Sequence, residues 1–487
     1  MEHSVPNEQH VVIIGGGLAG LSAAEQLVRQ ETTTAAPRVT VIEAAGRFGG
    51  VIETIHEAGW LVERSADNFL AARPEGIDLV KRLGLEETLV SVAPTARRAL
   101  VWSPNKRGGG GRLLPVPAGF RLLAASRPQT LLATPLLSWP GRLRAAAEGF
   151  ITARRSQDDE SLESFAVRRL GREAFDRLVQ PLVSGIWTAD PARLSMAAAC
   201  PDFLAFERNH GSLARGEQHR LQMAGLRADA SGARYGQFVS FKRGMQTLIE
   251  GLLARLREAG VELVSNRVES LRQDATGWQV GCVGEKSIHA SAVVVATPAS
   301  HASQLLMAAA PALAADLAAI EYAGAAVVSL GFARDDVGHP LDAAGMIVPR
   351  VAGRRLVAAS FSSVKFPDRA PPGSVLMRGF IGGALDPSAA ELADDALANQ
   401  VLTDLREMLG IRGRPQYGRI DRWHTAMPQY NLGHVDRVER IRAAESLLPG
   451  IGLAGAAYGG VGIPQVIQSG QEAALRAIGQ STKKINR

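Results

Sequence analysis

The sequence predicts an α/β protein, and two observations lead to this prediction. The opening segment "HVVIIGGGLAGLSAAEQLVRQ" combines a short β-branched run, a glycine turn and apolar residues at helical spacing, and a second buried strand, "VTVIEA", follows it. Patterns of helix and strand return from "FVSFKRGMQTLIEGLLARLREAGVELVSNRVESL" onward. The opening order of strand, helix and strand is that of a βαβ unit.

Length and composition indicate a folded protein of two or three domains, because 487 residues are too many for one core and 46% hydrophobic with 21% charged residues is near the globular average. The two cysteines, Cys200 and Cys282, lack metal-ligand spacing, so we expect no metal site and a reducing, cytoplasmic compartment. No apolar run reaches the length of a spanning helix. The net charge of +6 is scattered along the chain without a nucleic-acid-binding motif, so we expect no nucleic-acid partner.

The first glycine turn predicts a dinucleotide site. Gly15, Gly17 and Gly20 form G-x-G-x-x-G between the strand and the helix, where they permit a tight turn, close approach to a pyrophosphate and close packing of helix on strand. The start of the helix offers free N–H groups to the phosphates. Glu43, at the end of the second strand, is placed to accept hydrogen bonds from ribose hydroxyls. We therefore predict a Rossmann-like domain.

A second glycine turn, "EAAGRFGGVIET", comes directly after Glu43. A nicotinamide-binding unit would proceed to its next helix here, whereas this chain places Arg47, Gly49 and Gly50 in an R-x-G-G turn. The turn resembles the second fingerprint of the amine-oxidase-like flavoproteins, which favours FAD over NAD.

Over nearly its full length the chain resembles the FAD-dependent protoporphyrinogen and coproporphyrinogen oxidases of heme biosynthesis. The segments "PLVSGIW", "MPQYNLGH" and "YGGVGIP" are the most specific to this family. The resemblance implies that a porphyrinogen, a tetrapyrrole, is oxidised to the porphyrin in three two-electron steps. Each step would transfer a hydride to the flavin, and oxygen would reoxidise the flavin with release of hydrogen peroxide. Because the flavin supplies the chemistry, we name no catalytic acid or base.

The resemblance also implies a fold. A discontinuous FAD-binding domain is expected from residues 9–80, 235–304 and 435–482, and an α+β substrate-binding domain from residues 305–434. The arginine-dotted segment 97–226 has the pattern of a helical insertion. The resemblance implies that this insertion touches a membrane.

Family roles are transferred only where the motifs match. The ADP half of FAD would be held by Gly15, Gly16, Gly17, Leu18, Ala19, Gly20, Glu43, Ala44, Arg47 and Gly50, with Val51 beside them and the backbone of Val268 at the adenine. The flavin end would be lined by Ser65, Ala66, Asp67, Asn68, Trp423, Val461, Gly462 and Ile463. The family usually has Gly-Pro where this chain has Ser65-Ala66. Arg98 is the candidate anchor for a substrate carboxylate, since a guanidinium binds a carboxylate with two hydrogen bonds.

Several alternatives stay open. Residues 113–150 mix leucines, Trp139 and arginines, which fits either a helix lying on a membrane surface or core packing. The first two fingerprints also occur in flavin amine oxidases and carotenoid desaturases, and a non-catalytic relative that binds prenylated proteins would keep the same fold. The sequence does not decide between protoporphyrinogen IX and coproporphyrinogen III as the substrate. It also does not decide whether the protein forms a homodimer.

Overall fold

The structure is a computed structural model that describes residues 9–29, 37–105, 110–225 and 238–480. The predicted domain limits at 226, 235 and 482 lie outside these residues. Among the helices described, none is long and apolar enough to cross a lipid bilayer. Cys200 and Cys282 are buried free thiols.

The predicted nucleotide domain is built on a parallel sheet of five strands. Across the sheet their order is Glu262–Ser265, Arg38–Glu43, His10–Ile14, Ala292–Val295 and Ile451–Leu453. Val11 pairs with Val39 on one side and with Ala292 on the other. The sheet and the βαβ start with helix Leu18–Arg29 confirm the predicted α/β class. Its strands are apolar because helices cover both faces.

Two groups of helices cover the two faces of this sheet. One face packs against Leu18–Arg29, Gln246–Glu258 and Ile463–Ala477, and the other against Ala299–Leu306, Pro311–Ala318 and His434–Ser446. Helix Pro311–Ala318 falls in the segment predicted as substrate domain. It packs instead beside the nucleotide sheet because Leu313 and Leu317 share a core with Val12 and Ile14.

A mixed sheet of seven strands forms the second α/β region. Its order is Tyr417–Pro428, Tyr322–Ala333, Ser374–Gly382, Leu356–Ser360, Gly345–Ile347, Ala99–Pro104 and Gly111–Pro115, and helix Asp394–Leu409 packs on one face. The last two strands in this order belong to the segment 97–226 that was predicted as a helical insertion. They join the sheet because "ALVW" is a buried β-branched and aromatic run that pairs with Gly345–Ile347.

The helical part of the insertion starts after these two strands. Its helices are Gln129–Ala133, Trp139–Ala146, Leu162–Leu170, Arg172–Ala174, the π-helix Phe175–Val179, Gln180–Trp187, Met196–Ala199, Pro201–His210 and Leu213–Met223. Most leucines of the 113–150 stretch are core residues, among them Leu123, Leu131 and Leu136. Core packing is therefore the correct interpretation for most of that stretch.

Smaller elements connect these units. They are the hairpin Thr54–Glu57 and Trp60–Glu63, the three-stranded sheet Phe69–Leu70, Phe238–Phe241 and Leu89–Ser91, the three-stranded sheet Val268–Gln273, Trp278–Cys282 and Ile288–Ala290, and the helices Pro74–Arg82, Ser362–Lys365 and Ala456–Gly459.

The first and last of the long helices, Leu18–Arg29 and Ile463–Ala477, touch through their backbones. A Cβ atom added to Gly470 would lie 2.1 Å from the carbonyl oxygen of Ala19 and 3.1 Å from the amide nitrogen of Ala23. Neither backbone atom can move without disturbing its helix. Glycine at position 470 is therefore required by the distance between the two helices.

We expect Gly470→Ala to destabilise the protein by about 1–3 kcal/mol, the usual cost of overpacking a core. The matched control is Gly185→Ala, a helical position where a Cβ would meet nothing within 4 Å. Since alanine favours helix over glycine, the control should be as stable as the parent or more so. Urea unfolding of both variants measures the difference, and equal stability of the two would contradict this account of Gly470.

Candidate cofactor site

The first glycine turn and Glu43 meet at the carboxyl ends of two neighbouring strands. The Gly16 N–H donates to Glu43 Oε2 at 2.7 Å, and the Ala45 N–H donates to Oε1 at 2.7 Å. Helix Leu18–Arg29 starts directly after the turn, so its first N–H groups have no acceptor within the helix and its positive dipole end points to this edge. The site offers one fixed carboxylate beside a set of free donors.

The two glycine turns lie against each other. The Gly49 N–H donates to the Gly16 carbonyl oxygen at 2.7 Å. A Cβ on Gly50, whose φ is +60°, would lie 3.1 Å from the Cα of Gly17. Side chains are thus absent where the turns meet, and the two backbones form one groove.

Arg47 stabilises the second turn from within. Its guanidinium donates to the carbonyl oxygens of Phe48 at 3.1 Å and Ile52 at 3.0 Å. It also forms an ion pair with Glu53 at 3.3 Å. The arginine therefore closes the loop that carries Gly50, and the exposed Val51 follows immediately.

Val268 reaches the same edge of the sheet through the strand before it. Glu262–Ser265 runs beside Arg38–Glu43, and the Asn266 N–H donates to the Glu43 carbonyl oxygen at 3.0 Å. Val268 then begins a strand of the small sheet. The structure brings this predicted adenine contact close to the end of the Glu43 strand.

The late glycine segment contributes the third side of the site. Strand Ile451–Leu453 lies at the edge of the five-stranded sheet, and the chain turns back into helix Ile463–Ala477. Val461 packs against the core of the insertion, whereas Ile463 belongs to the core beneath the nucleotide sheet. The predicted residues Val461–Ile463 therefore lie where the two cores meet.

Tyr430 supports this turn and was not among the predicted site residues. Its hydroxyl accepts a hydrogen bond from the Gly460 N–H at 2.8 Å and donates to the Ala456 carbonyl oxygen. Its ring stacks on His434 with the centroids 4.2 Å apart. Burial lowers the pKa of His434 to about 4, so this imidazole is neutral at pH 7. Both residues belong to the motif "MPQYNLGH", which was the available sequence signal.

The predicted flavin-side residues are also brought together. The Trp423 Nε1–H donates to the Arg64 carbonyl oxygen at 3.0 Å, and the Ser65 hydroxyl donates to the Val51 carbonyl oxygen. Arg378 donates from Nη2 to the Ser65 carbonyl oxygen. The backbone at Ser65-Ala66, where the family pattern differs, is thus held by two hydrogen bonds.

Two buried cationic side chains lie beside Asp67, and neither was predicted from the sequence as part of the site. Lys365 Nζ lies 2.8 Å from Asp67 Oδ2, and Arg378 Nη1 lies 3.5 Å from the same oxygen. Burial alone would raise the pKa of Asp67, but the charges of Lys365 and Arg378 outweigh it and lower that pKa. Position in the chain gives no hint of this cluster, because Lys365 ends a short helix and Arg378 lies within an apolar strand.

Arg98 does not join these residues. Its Nε donates to the Asp342 carbonyl oxygen at 2.9 Å and its Nη2 binds the Asp342 carboxylate. Arg98 directly precedes strand Ala99–Pro104, in which Leu100 faces the core with helix Asp394–Leu409. In the described parts of the chain, the structure brings this arginine to Asp342 and not to Ser65–Asn68.

A cavity of about 290 Å³ lies between helix Gln180–Trp187 and the ends of the seven-stranded sheet. Three arginines line it. Arg354 pairs with Asp404 at 3.3 Å. Arg355 pairs with Asp386, also at 3.3 Å. The Arg350 backbone N–H donates to Gln180 Oε1 at 3.0 Å, which joins the cavity wall to the helix. Apolar residues such as Val348, Leu356 and Leu385 form other parts of the wall.

Comparisons with known proteins agree with this architecture. The family model described as flavin-containing amine oxidoreductase matches residues 18–478. A coproporphyrinogen III oxidase of Bacillus subtilis is 33% identical, covering 97% of this chain and 98% of that protein. Protoporphyrinogen oxidase 1 of Arabidopsis thaliana chloroplasts is 31% identical, covering 95% and 87%. A crystal structure from Exiguobacterium sp. 255-15 superposes with a TM-score of 0.83 at 28% identity, covering 97% and 99%. The chain therefore belongs to the flavin-containing amine oxidoreductase family, in the group of coproporphyrinogen III and protoporphyrinogen oxidases, and is a flavoprotein oxidoreductase.

Proposed function

We propose that the protein uses FAD and oxygen to oxidise a porphyrinogen to the porphyrin in heme biosynthesis. The observation that carries this proposal is the full-length similarity to relatives named for such oxidations, together with a cofactor groove built from three separate segments. The flavin amine oxidase, the carotenoid desaturase and the non-catalytic relative are the alternatives.

The groove fits FAD. A side chain at Gly50 would crowd the backbone of Gly17, so the shared groove is open to a pyrophosphate only because both are glycines. Glu43 is held in place by two N–H groups at the edge where a ribose would lie. We assign the ADP half to the Gly15–Gly20 and Arg47–Gly50 turns and Val268, and the flavin end to Ser65–Asn68, Trp423 and Val461–Ile463.

When bound, FAD supplies the acceptor for a hydride in each two-electron step and the centre that oxygen reoxidises. The residues of the chain bind and orient the cofactor and the substrate. Tyr430 fixes the turn before Val461, and Trp423 fixes the backbone before Ser65. Arginines that line the cavity, such as Arg350 and Arg355, suit the carboxylates of a tetrapyrrole because guanidinium groups bind carboxylates well.

The direct test compares both porphyrinogens. We expect the purified holoprotein to consume oxygen and to produce a fluorescent porphyrin from protoporphyrinogen IX, coproporphyrinogen III or both, well above the rate in buffer. The more active substrate decides the specificity. The proposal would be contradicted by a preparation that holds FAD but oxidises neither porphyrinogen faster than it is oxidised in buffer alone. Amines and carotenoids would then be screened as substrates. A pure protein without flavin would point to the non-catalytic alternative.

The cofactor assignment predicts that Glu43→Gln weakens FAD binding by about tenfold or more. The amide replaces one acceptor oxygen by a donor, which leaves a backbone N–H without its partner at a cost of ~1–3 kcal/mol. The control is Glu262→Gln on the neighbouring strand, where the carboxylate binds Thr40 Oγ1 at 2.9 Å. Titration of the deflavinated protein with FAD measures both affinities, and equal affinities would argue against a role of Glu43 at the cofactor.

We further propose peripheral contact of the insertion with a membrane. Trp139 and Leu143 lie four residues apart on one helix and are 66% and 61% exposed, and Phe150 just after it is 89% exposed. Arg142 stacks on Trp139 with its Cζ 4.9 Å from the ring centroid. An exposed aromatic and apolar group with an arginine at its edge suits the surface of an anionic bilayer.

In a sedimentation assay with anionic phospholipid vesicles, we expect the triple variant W139S, L143S and F150S to bind at least severalfold more weakly than the parent. Leu447→Ser is the matched control, because Leu447 is 81% exposed but follows helix His434–Ser446, outside the insertion. Unchanged binding of the triple variant, or no binding of the parent, would remove the proposal.

A further inference from the structure

A buried group of charges lies directly behind the segment Ser65–Asn68. The Asp67 carboxylate contacts Lys365 Nζ at 2.8 Å and Arg378 Nη1 at 3.5 Å, and it accepts from the Asn68 amide. Arg378 is 1% exposed, and its Nη2 donates to the Ser65 carbonyl oxygen. We call Asp67, Lys365 and Arg378 the charged cluster.

The charged cluster contains two cations and one carboxylate. Glu63 and Arg369 are the neighbouring buried charges, and they do not remove the excess. Burial raises the pKa of Glu63, but even an ionised Glu63 is balanced by the charge of Arg369, so three cations lie near two carboxylates. Arg369 also donates to the carbonyl oxygens of Lys242 and Phe241. The region therefore carries a net positive charge that is largely shielded from water, with the Lys365 and Asp67 side chains 8% and 14% exposed.

The hydrogen bonds of Arg378 are also incomplete. Its Nε and Nη1 atoms are buried and have no hydrogen-bond acceptor among the residues that the structure describes. A buried cation with unused donors is costly, and the Asp67 carboxylate near Arg378 is shared with Lys365. The region thus has the electrostatics of a site that favours negative charge close by.

We propose that the charged cluster stabilises the reduced, negatively charged flavin and so raises the reduction potential of the bound FAD. The proposal rests on the proposed function only in taking Ser65–Asn68 as the flavin-side wall. In each step the substrate C–H bond breaks, and its two electrons and proton pass to the flavin as a hydride. The oxidised substrate then releases an N–H proton to water. The hydride adds one negative charge to the flavin, and the excess charge of Lys365 and Arg378 favours that charge.

The test changes the charge by one unit in each direction on the FAD-bound protein. Lys365→Met removes a cation, and Asp67→Asn removes the anion at nearly constant size. At an effective dielectric constant of about 20, two unit charges about 10 Å apart interact by about 1.7 kcal/mol, so a change of one charge at that separation would alter an equilibrium on the order of tenfold. We expect Lys365→Met to lower the reduction potential and weaken sulfite binding to the flavin, and Asp67→Asn to do the opposite. A tenfold change corresponds to about 30 mV for this two-electron couple.

The double variant, Lys365→Met with Asp67→Asn, should have a reduction potential close to that of the parent. Lys365→Arg should also keep the parent potential. Arg440→Gln and Asp316→Asn make the same charge changes at an exposed ion pair and should shift nothing, since water screens them. Potentials that move in the same direction in both cluster variants, or not at all, would overturn the proposal. If Lys365→Met loses its flavin, Asp67→Asn alone decides. No porphyrinogen enters the measurement, so its outcome is separate from that of the oxidation assay.

Discussion

The backbone contact between the first helix and the last long helix is the constraint on which the rest of the site depends. Gly470 lets Ile463–Ala477 lie directly on Ala19, which is part of the first glycine fingerprint. The start of the last helix is thereby fixed relative to the start of the first. Both helices direct their amino ends to the carboxyl edge of one parallel sheet, so the cofactor groove receives two positive dipole ends.

Charged side chains join the nucleotide domain to the seven-stranded sheet. Arg64 binds Asp421 with Nε 2.6 Å from Oδ1, and Lys365 binds Asp67 across the same junction. Buried ion pairs add little net stability over apolar packing, but they are costly to separate. We therefore interpret them as fixing the relative position of the two sheets, so that the wall at Trp423 keeps its distance from the glycine turns.

Local sequence predicted the parts of the fold that depend on local pattern. The βαβ start, the two glycine turns and the late glycine segment follow from glycine spacing and apolar runs, and the structure brings these turns to one edge of the sheet. The strand "ALVW" could be recognised in the sequence. Its membership of the seven-stranded sheet could not, because its partner Gly345–Ile347 lies far away in the chain. The same limit applies to helix Pro311–Ala318 and to the Lys365–Asp67 contact. Arg98 was chosen by residue type alone, and type does not say which face of a sheet a side chain joins.

The order of strands in the parallel sheet has a consequence for synthesis on the ribosome. Ile451–Leu453 pairs with Ala292–Val295, which is an unpaired edge until then. At about 5–20 residues per second, roughly 20–90 s separate the translation of Gly20 from that of Ile451. During that interval the apolar face of the first helix, with Leu21 and Leu27, has not met the last helix that covers it. The nucleotide sheet and its helical cover are therefore complete only after Ile451–Leu453 and Ile463–Ala477 have been made, and until then part of this core is exposed.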